Sequence, residues 1–153
     1  MQEIVINNCY GGFGLSREAV MEYARIKGWV LHTYVEKWSA LLYAGKPYDP
    51  KDKELIKWPN ENYKVQEGHG PTPFYSFNPD VKTWKDLGEN ISFYEHDIKR
   101  DDPVLVETVK RLGDKSWGYC SELKIVEIPD GVKWQIEEYD GIEWVAEKHR
   151  TWR

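Results

Sequence analysis

Cysteine is scarce in this sequence: there are two, Cys9 and Cys120, and neither belongs to a Cys-x-x-Cys motif. This usage excludes a disulfide framework and a cysteine-rich zinc site, and it fits a reducing compartment. The four histidines are dispersed along the chain. Since metal sites draw their ligands from clusters of such residues, we expect no metal and no cofactor.

Long apolar runs are missing as well. No stretch approaches the roughly 18 consecutive apolar residues of a membrane span. The opening residues, MQEIVINN, lack the basic and apolar regions of a secretory signal. The sequence therefore predicts a soluble, cytoplasmic protein with no membrane partner.

Positive charge is in short supply, because 21 Lys and Arg stand against 26 Asp and Glu, for a net charge of −5. A non-specific nucleic-acid binder is expected to be basic, so the composition argues against that class. Aromatic residues, by contrast, are abundant: the chain has 8 Trp, 10 Tyr and 4 Phe. So many rings exceed the needs of a small core and favour stacking or interface surfaces.

The length of 153 residues predicts a single domain over residues 1–153. Capping residues and apolar periodicity place helices at Arg17–Lys27 and Pro103–Leu112. Strands are expected at 3–8, 29–36, 91–94, 122–128, 132–138 and 142–148, the last two as a hairpin with a Gly turn. The opening β-α-β order usually makes two strands parallel. We therefore predict an α+β (mixed α/β) fold, a mixed sheet of about five or six strands with both helices on one face.

The middle of the chain, residues 45–90, reads as a long irregular segment. Six of the eight prolines fall there, together with several aromatic residues. Long connections of this kind are typically binding loops, lids or interface arms. We expect the segment to wrap the domain or a partner subunit of a homo-oligomer.

A glycine-rich stretch, INNCYGGFGLS at Ile6–Ser16, separates the first strand from the first helix. Its backbone N–H groups and the helix start suit a phosphate, and its aromatic and amide side chains suit a base. The predicted ligand-binding residues are Asn7, Asn8, Tyr10, Gly11, Gly12, Phe13, Gly14 and Ser16, with Arg100 and Arg150 for charge. The alternative is a tight turn that only needs the positive φ of glycine, and the pattern leaves both open.

A second cluster lies at the carboxyl end. Glu147 and His149 share one face of the last predicted strand, so an enzyme could use them as its acid–base pair, with Glu138 or Asp140 in support. The alternative is a solvated edge strand of mixed charge that resists edge-to-edge pairing.

The two ends of the chain, INNCYGGFGLS and EYDGIEWVAEKHRTW, together resemble a widespread family of small phage and prophage proteins. The resemblance also covers the helix at Arg100–Gly113 but not the middle of the chain. It implies an accessory phage protein in the cytoplasm of a bacterial host cell, where such proteins often counter host defence. Some of comparable size bind or degrade nucleotide immune signals, which is an analogy of context rather than of motif.

Three functions are compatible with these features. The leading hypothesis is an anti-defence protein that sequesters a small nucleotide-type immune signal, since it explains the rings, the glycine loop and the lack of a catalytic signature. The first alternative is a metal-free hydrolase or lyase that acts on such a nucleotide through Glu147 and His149. The second is a protein–protein inhibitor of a host enzyme, with an exposed aromatic surface.

Overall fold

A computed structural model describes residues 1–65, 70–88 and 92–148. The strands are β1 (Gln2–Asn7), β2 (His32–Glu36), β3 (Leu55–Lys57), β4 (Phe74–Ser76), β5 (Ser92–Phe93), β6 (Leu123–Ile128), β7 (Trp134–Tyr139) and β8 (Ile142–Glu147). The helices are α1 (Arg17–Lys27), α2 (Lys37–Tyr43), α3 (Trp84–Leu87) and α4 (Pro103–Leu112). The α+β class is thereby confirmed. In the part of the chain that is described, no helix combines the length and the apolar character needed to cross a membrane.

The chain divides into two compact units. The first unit joins Met1–Lys27 to Glu95–Arg153, and the second unit is Gly28–Tyr94. Each unit brings together elements that are neighbours in space but not all in sequence. The single-domain organisation over residues 1–153 stays a prediction.

The first unit is built on an antiparallel pair, in which β1 and β6 run in register from Gln2↔Ile128 to Asn7↔Leu123. Helix α1 begins where the Ser16 hydroxyl accepts the Ala19 N–H at 3.1 Å, which is the bond that an N-cap residue makes. Helix α4 begins after Asp102, whose carboxylate accepts the Val104 N–H at 2.8 Å. Both helix starts were therefore readable from local sequence.

The hairpin of β7 and β8 turns at Asp140 and Gly141, which have φ angles of 49° and 91°. Such angles suit the right-handed twist of the flanking strands. The register pairs Ile136 with Val145 and Glu137 with Trp144. Because directly paired residues share a face, each face of the hairpin carries apolar side chains.

The second unit holds a four-stranded sheet in the order β3-β2-β4-β5, and each of its pairs is antiparallel. Tyr34, Leu55, Val81 and Leu87 form its buried cluster, with Phe74 packed against it. A parallel pairing of the first two strands was expected, but β1 pairs with β6 while β2 pairs with β3 and β4. The described strands thus form three antiparallel sheets instead of one mixed sheet.

The expectation that residues 45–90 are irregular needs correction. This segment contributes β3, β4 and α3, and loops connect them. Strands of three residues are too short to display a clear period-two pattern. Strands β3 and β4 are defined by their pairing with β2. Strand β2 supplies the buried residues Thr33, Tyr34 and Val35.

Candidate functional site

The glycine loop of the first unit is packed against two other loops. A Cβ on Gly11 would lie 2.6 Å from the carbonyl oxygen of Cys120, and a Cβ on Gly141 would lie 2.6 Å from the Gly11 nitrogen. We call the meeting point of residues 10–12, 118–120 and 140–141 the three-loop junction. Glycine is needed there because three backbones approach one another closely.

Asn7 holds this junction together from inside. Its side chain is buried, and its Nδ2 donates to the carbonyls of Cys9 at 2.8 Å and Gly141 at 2.7 Å. Its Oδ1 accepts the Glu122 N–H at 2.9 Å. The amide predicted to read a base edge is therefore engaged with the protein itself.

Arg100 is likewise engaged inside the first unit. Its Nη1 and Nη2 donate to the two carboxylate oxygens of Glu143 at 2.6 and 2.9 Å, and Nη1 also reaches the Val5 carbonyl at 3.2 Å. The guanidinium carbon lies 3.5 Å from the centre of the Phe13 ring. The side chains of Arg100 and Glu143 are 19% and 7% exposed, so this bidentate pair is an internal brace.

A carboxylate of the chain already lies at the end of the glycine loop. Glu95 accepts the Leu15 N–H at 2.8 Å, close to the start of α1. Burial raises the pKa of Glu95, while the Leu15 N–H bond partly opposes that rise. Because Glu95 has taken the N–H next to the helix start, a phosphate there would meet like charge.

The remaining predicted ligand-binding residues differ in exposure, and some are engaged in hydrogen bonds within the protein. Tyr10 is 66% exposed and Asn8 is exposed, whereas the Gly14 carbonyl accepts the Ser121 hydroxyl at 2.7 Å. A Cβ on Gly12 would meet nothing within 4 Å. The Ser16 hydroxyl donates to the Lys115 carbonyl at 2.6 Å. The loop therefore keeps Tyr10, Asn8 and Gly12 accessible, and its other members serve packing.

The predicted acid–base pair is only partly described. Glu147 is exposed and lies opposite Trp134 in the hairpin. His149 and Arg150 lie outside the described residues. The pair stays a prediction. Within the described ranges, no group of three or more His, Cys, Asp or Glu is arranged to hold a metal ion.

The second unit contains a cleft that the sequence did not indicate. Its volume is about 580 Å³, and its lining residues are Lys53, Glu54, Lys82, Thr83, Trp84 and Lys85. We call it the lysine cleft. This volume lies in the range of about 300 to 1,000 Å³ that is common for ligand pockets, and the cleft is largely open to solvent.

Backbone hydrogen bonds bring the two sides of the lysine cleft together. The Leu55 N–H donates to the Lys82 carbonyl at 2.8 Å, which joins the start of β3 to the loop before α3. The Asp86 carboxylate accepts the N–H groups of Lys82 and Thr83, each at 3.1 Å. These two bonds lower the pKa of Asp86, and they fix the backbone from which Lys82 and Lys85 extend.

Positive charge dominates the lysine cleft. The one acidic side chain in its lining, Glu54, pairs with Lys37 outside the cleft, at 3.4 Å. Lys53 is held 3.6 Å from Glu36. Among the described residues, neither Lys82 nor Lys85 makes an ion pair. The charge of Lys82 also helps to lower the pKa of the Asp86 carboxylate, so Asp86 offsets part of that charge, and Lys85 is the more available of the two to an anionic ligand.

Trp84 supplies the aromatic surface of the cleft. Its ring packs edge to face on Phe74 with centroids 4.5 Å apart, and Phe74 in turn packs on the buried cluster of the unit. The indole is nevertheless 42% exposed. A ring that is fixed on one side and accessible on another can stack on a flat ligand without losing much conformational freedom.

Sequence reasoning missed this cleft for an identifiable reason. Lys53 and Lys82 are far apart in a segment interpreted as irregular, and the backbone bond from Leu55 to Lys82 brings their two stretches of chain together. The local run Lys82-Thr83-Trp84-Lys85 was the available signal, because an aromatic residue flanked by cations is typical of sites for anionic rings.

Comparison of the sequence with known protein families matched no family model, and neither curated proteins nor solved structures gave a significant match.

Proposed function

We propose that this protein binds a small nucleotide-type ligand in the lysine cleft and holds it without converting it. The observation that carries the proposal is the lining of the cleft, which brings Lys53, Lys82 and Lys85 together with Trp84. A nucleotide combines an anionic phosphate with a flat aromatic base. Lysine ammonium groups attract the phosphate as point charges, and an indole stacks on the base.

The chemistry of the lining favours binding over catalysis. Within the described residues, the lining contains no histidine or cysteine, and its carboxylate, Glu54, is paired with Lys37. General acid–base catalysis works best with a group whose pKa lies near the operating pH, and histidine is the commonest such group. We therefore favour sequestration over the hydrolase or lyase alternative, which relies on Glu147 and His149 and on no residue of the cleft lining.

The biological part of the proposal is an anti-defence role. The resemblance of the two chain ends to small phage and prophage proteins supports an accessory protein in the bacterial host cytoplasm. A protein of this kind, with an anion-binding cleft, is suited to withdraw a host immune signalling nucleotide from solution. The proposal includes a homo-oligomer, because tight capture is helped when a second subunit closes the site.

A second candidate function is supported by a different surface. Tyr10, Tyr119 and Tyr139 adjoin the three-loop junction and are 66%, 73% and 73% exposed. Exposed tyrosines are typical of protein interfaces. This surface suits a protein–protein inhibitor of a host enzyme, and a stable complex that survives disruption of the lysine cleft would favour it.

The test is calorimetric titration of the full chain with a panel of cyclic nucleotides and ADP-ribose derivatives. We expect at least one to bind with one site per chain. Lys82→Gln and Lys85→Gln should each weaken that affinity about five- to tenfold. The matched control is Lys57→Gln, which removes an exposed lysine of β3 outside the cleft lining. If no compound binds, or if all three variants weaken binding equally, the proposal fails.

A further inference from the structure

We infer that Cys9 and Cys120 form a reversible thiol–disulfide site that cross-links the three-loop junction. The inference is independent of the lysine cleft. These are the two cysteines of the chain, 111 positions apart, and both are free thiols in the structure. The Cys9 thiol nevertheless donates to the carbonyl of Cys120, with Sγ and O 3.2 Å apart.

The backbones on either side of this contact are also close. A Cβ on Gly11 would lie 2.7 Å from the Cβ of Cys120, so the loop that contains Cys9 passes within van der Waals distance of Cys120. Disulfides require Cα atoms about 4.4 to 6.8 Å apart. The contact of the Cys9 sulfur with the Cys120 backbone places the two residues close enough for the cross-link that we infer.

Closure of the disulfide would remove the hydrogen bonds of the Cys9 thiol and would leave the buried Asn7 side chain with its other partners. The Cys9 thiol now donates to Asn7 Oδ1 at 3.4 Å and to the Cys120 carbonyl. Asn7 Oδ1 keeps the Glu122 N–H at 2.9 Å when the thiol proton is lost. Oxidation therefore costs a weak thiol hydrogen bond and leaves the junction's main amide bonds intact.

The reaction proceeds in two exchange steps with a small disulfide such as glutathione disulfide. Cys120 is exposed, so its thiolate attacks one sulfur of glutathione disulfide and releases one glutathione thiolate. The Cys9 thiolate then attacks the Cys120 sulfur of the mixed disulfide and releases the second glutathione. The two cysteines are oxidised, one glutathione disulfide is reduced, and excess thiol reverses both steps.

The experiment is intact-mass and peptide-mapping analysis of the native full chain equilibrated with glutathione disulfide. We expect a monomer lighter by two hydrogens, a cross-linked peptide pair containing Cys9 and Cys120, and full reversal by dithiothreitol. In denaturant, the ratio of cross-link to glutathione adduct should fall at least about tenfold, because the folded loops supply the effective concentration.

Cys9→Ser and Cys120→Ser are the matched variants, since each leaves one thiol. Under conditions in which the unaltered chain forms the cross-link, both variants should accumulate a single glutathione adduct. Oxidation should raise the thermal midpoint of the unaltered chain by several degrees, and it should not raise that of either variant. The inference is overturned if the native chain ends as a glutathione adduct or as disulfide-linked dimers, or if folding does not raise the cross-link ratio.

Discussion

In the first unit, hydrogen bonds within the protein engage some of the polar side chains that were predicted to bind a ligand. Asn7 and Arg100 were predicted to contact a ligand, and both are instead satisfied by buried protein partners, with Glu143 common to them. A buried carboxylate that accepts a bidentate guanidinium and a backbone N–H leaves little hydrogen-bonding capacity for a further group. In the second unit, by contrast, Lys82 and Lys85 line a cleft and make no ion pair within the described residues.

The internal brace of Arg100 and Glu143 predicts a large loss of stability when one partner is removed. Glu143→Gln keeps an acceptor for the Asn7 N–H but leaves the largely buried Arg100 without a counter-ion. We expect the free energy of unfolding to fall by about 3 kcal/mol in denaturant titration, since an unpaired buried charge is costly. The control is Glu138→Gln, the exposed cross-strand neighbour, which should stay within about 0.5 kcal/mol. Equal effects would contradict the brace.

Glu95 predicts a specific pH dependence. Its pKa is raised by burial, so the folded state holds the carboxyl proton more tightly than the unfolded state does. The ionised form is therefore penalised above the raised pKa, and the penalty disappears below the ordinary carboxyl pKa of about 4.3. Glu95→Gln, whose amide oxygen can still accept the Leu15 N–H, should be more stable than the original chain at neutral pH.

The measurement is the thermal midpoint of both proteins from pH 7 down to acid. The advantage of Glu95→Gln should shrink as the pH falls through the window between the raised pKa and the ordinary one. An advantage that stays constant across that window, or a variant that is less stable at neutral pH, would show that ionisation of Glu95 is not the cause.

At the scale of elements, close approach between backbones explains why some loop positions require glycine. Gly141 completes the β7–β8 turn with a φ of 91°, and its Cα faces the nitrogens of Gly11 and Gly12. Gly131 also has a positive φ, 82°, but a Cβ there would meet nothing within 4 Å. Both glycines have a positive φ, but only Gly141 is packed against another loop.

That difference makes them a matched pair for a stability test. Gly131→Ala should cost about 1 kcal/mol for the left-handed conformation alone. Gly141→Ala should cost about 3 kcal/mol or more, because the new Cβ also collides with the glycine loop. Denaturant unfolding measures both values. Equal costs would mean that the three-loop junction tolerates a methyl group and is looser than the contacts indicate.

Local sequence signals predicted the helix starts and the hairpin turn correctly. They did not predict which strands pair with β2. Ser16 and Asp102 bond to the first turns of their helices, and Gly141 turns the hairpin, because each signal acts within a few residues. The partners of β2 lie in three-residue strands that carry no readable period. The lysine cleft depends on another long-range contact, the bond from the Leu55 N–H to the Lys82 carbonyl, which brings its two sides together.

At the scale of the whole molecule, overall charge and site charge have opposite signs. The chain carries a net charge of −5, yet three lysines and one paired carboxylate line the lysine cleft. An acidic surface repels nucleic acid at long range, while a local cluster of lysines attracts a small anion at short range. This combination favours a small nucleotide over a polymer.

It follows that ligand binding should depend moderately on salt. We expect affinity to fall about three- to tenfold between about 50 and about 300 mM monovalent salt, because screening weakens the exposed lysine–phosphate attraction. Titration of the nucleotide found in the panel at several salt concentrations measures this. Salt-independent affinity would mean that the charges of Lys82 and Lys85 do not hold the ligand.

The most direct test of the proposed function is recovery of the bound compound. The full chain is incubated with the nucleotide panel, free compounds are quantified by mass spectrometry, and the protein is then heated to release its ligand. We predict that one compound leaves solution and returns intact, and that the Lys82→Gln/Lys85→Gln double variant fails to remove it. Return of fragments would contradict sequestration, and equal depletion by the double variant would contradict the lysine cleft.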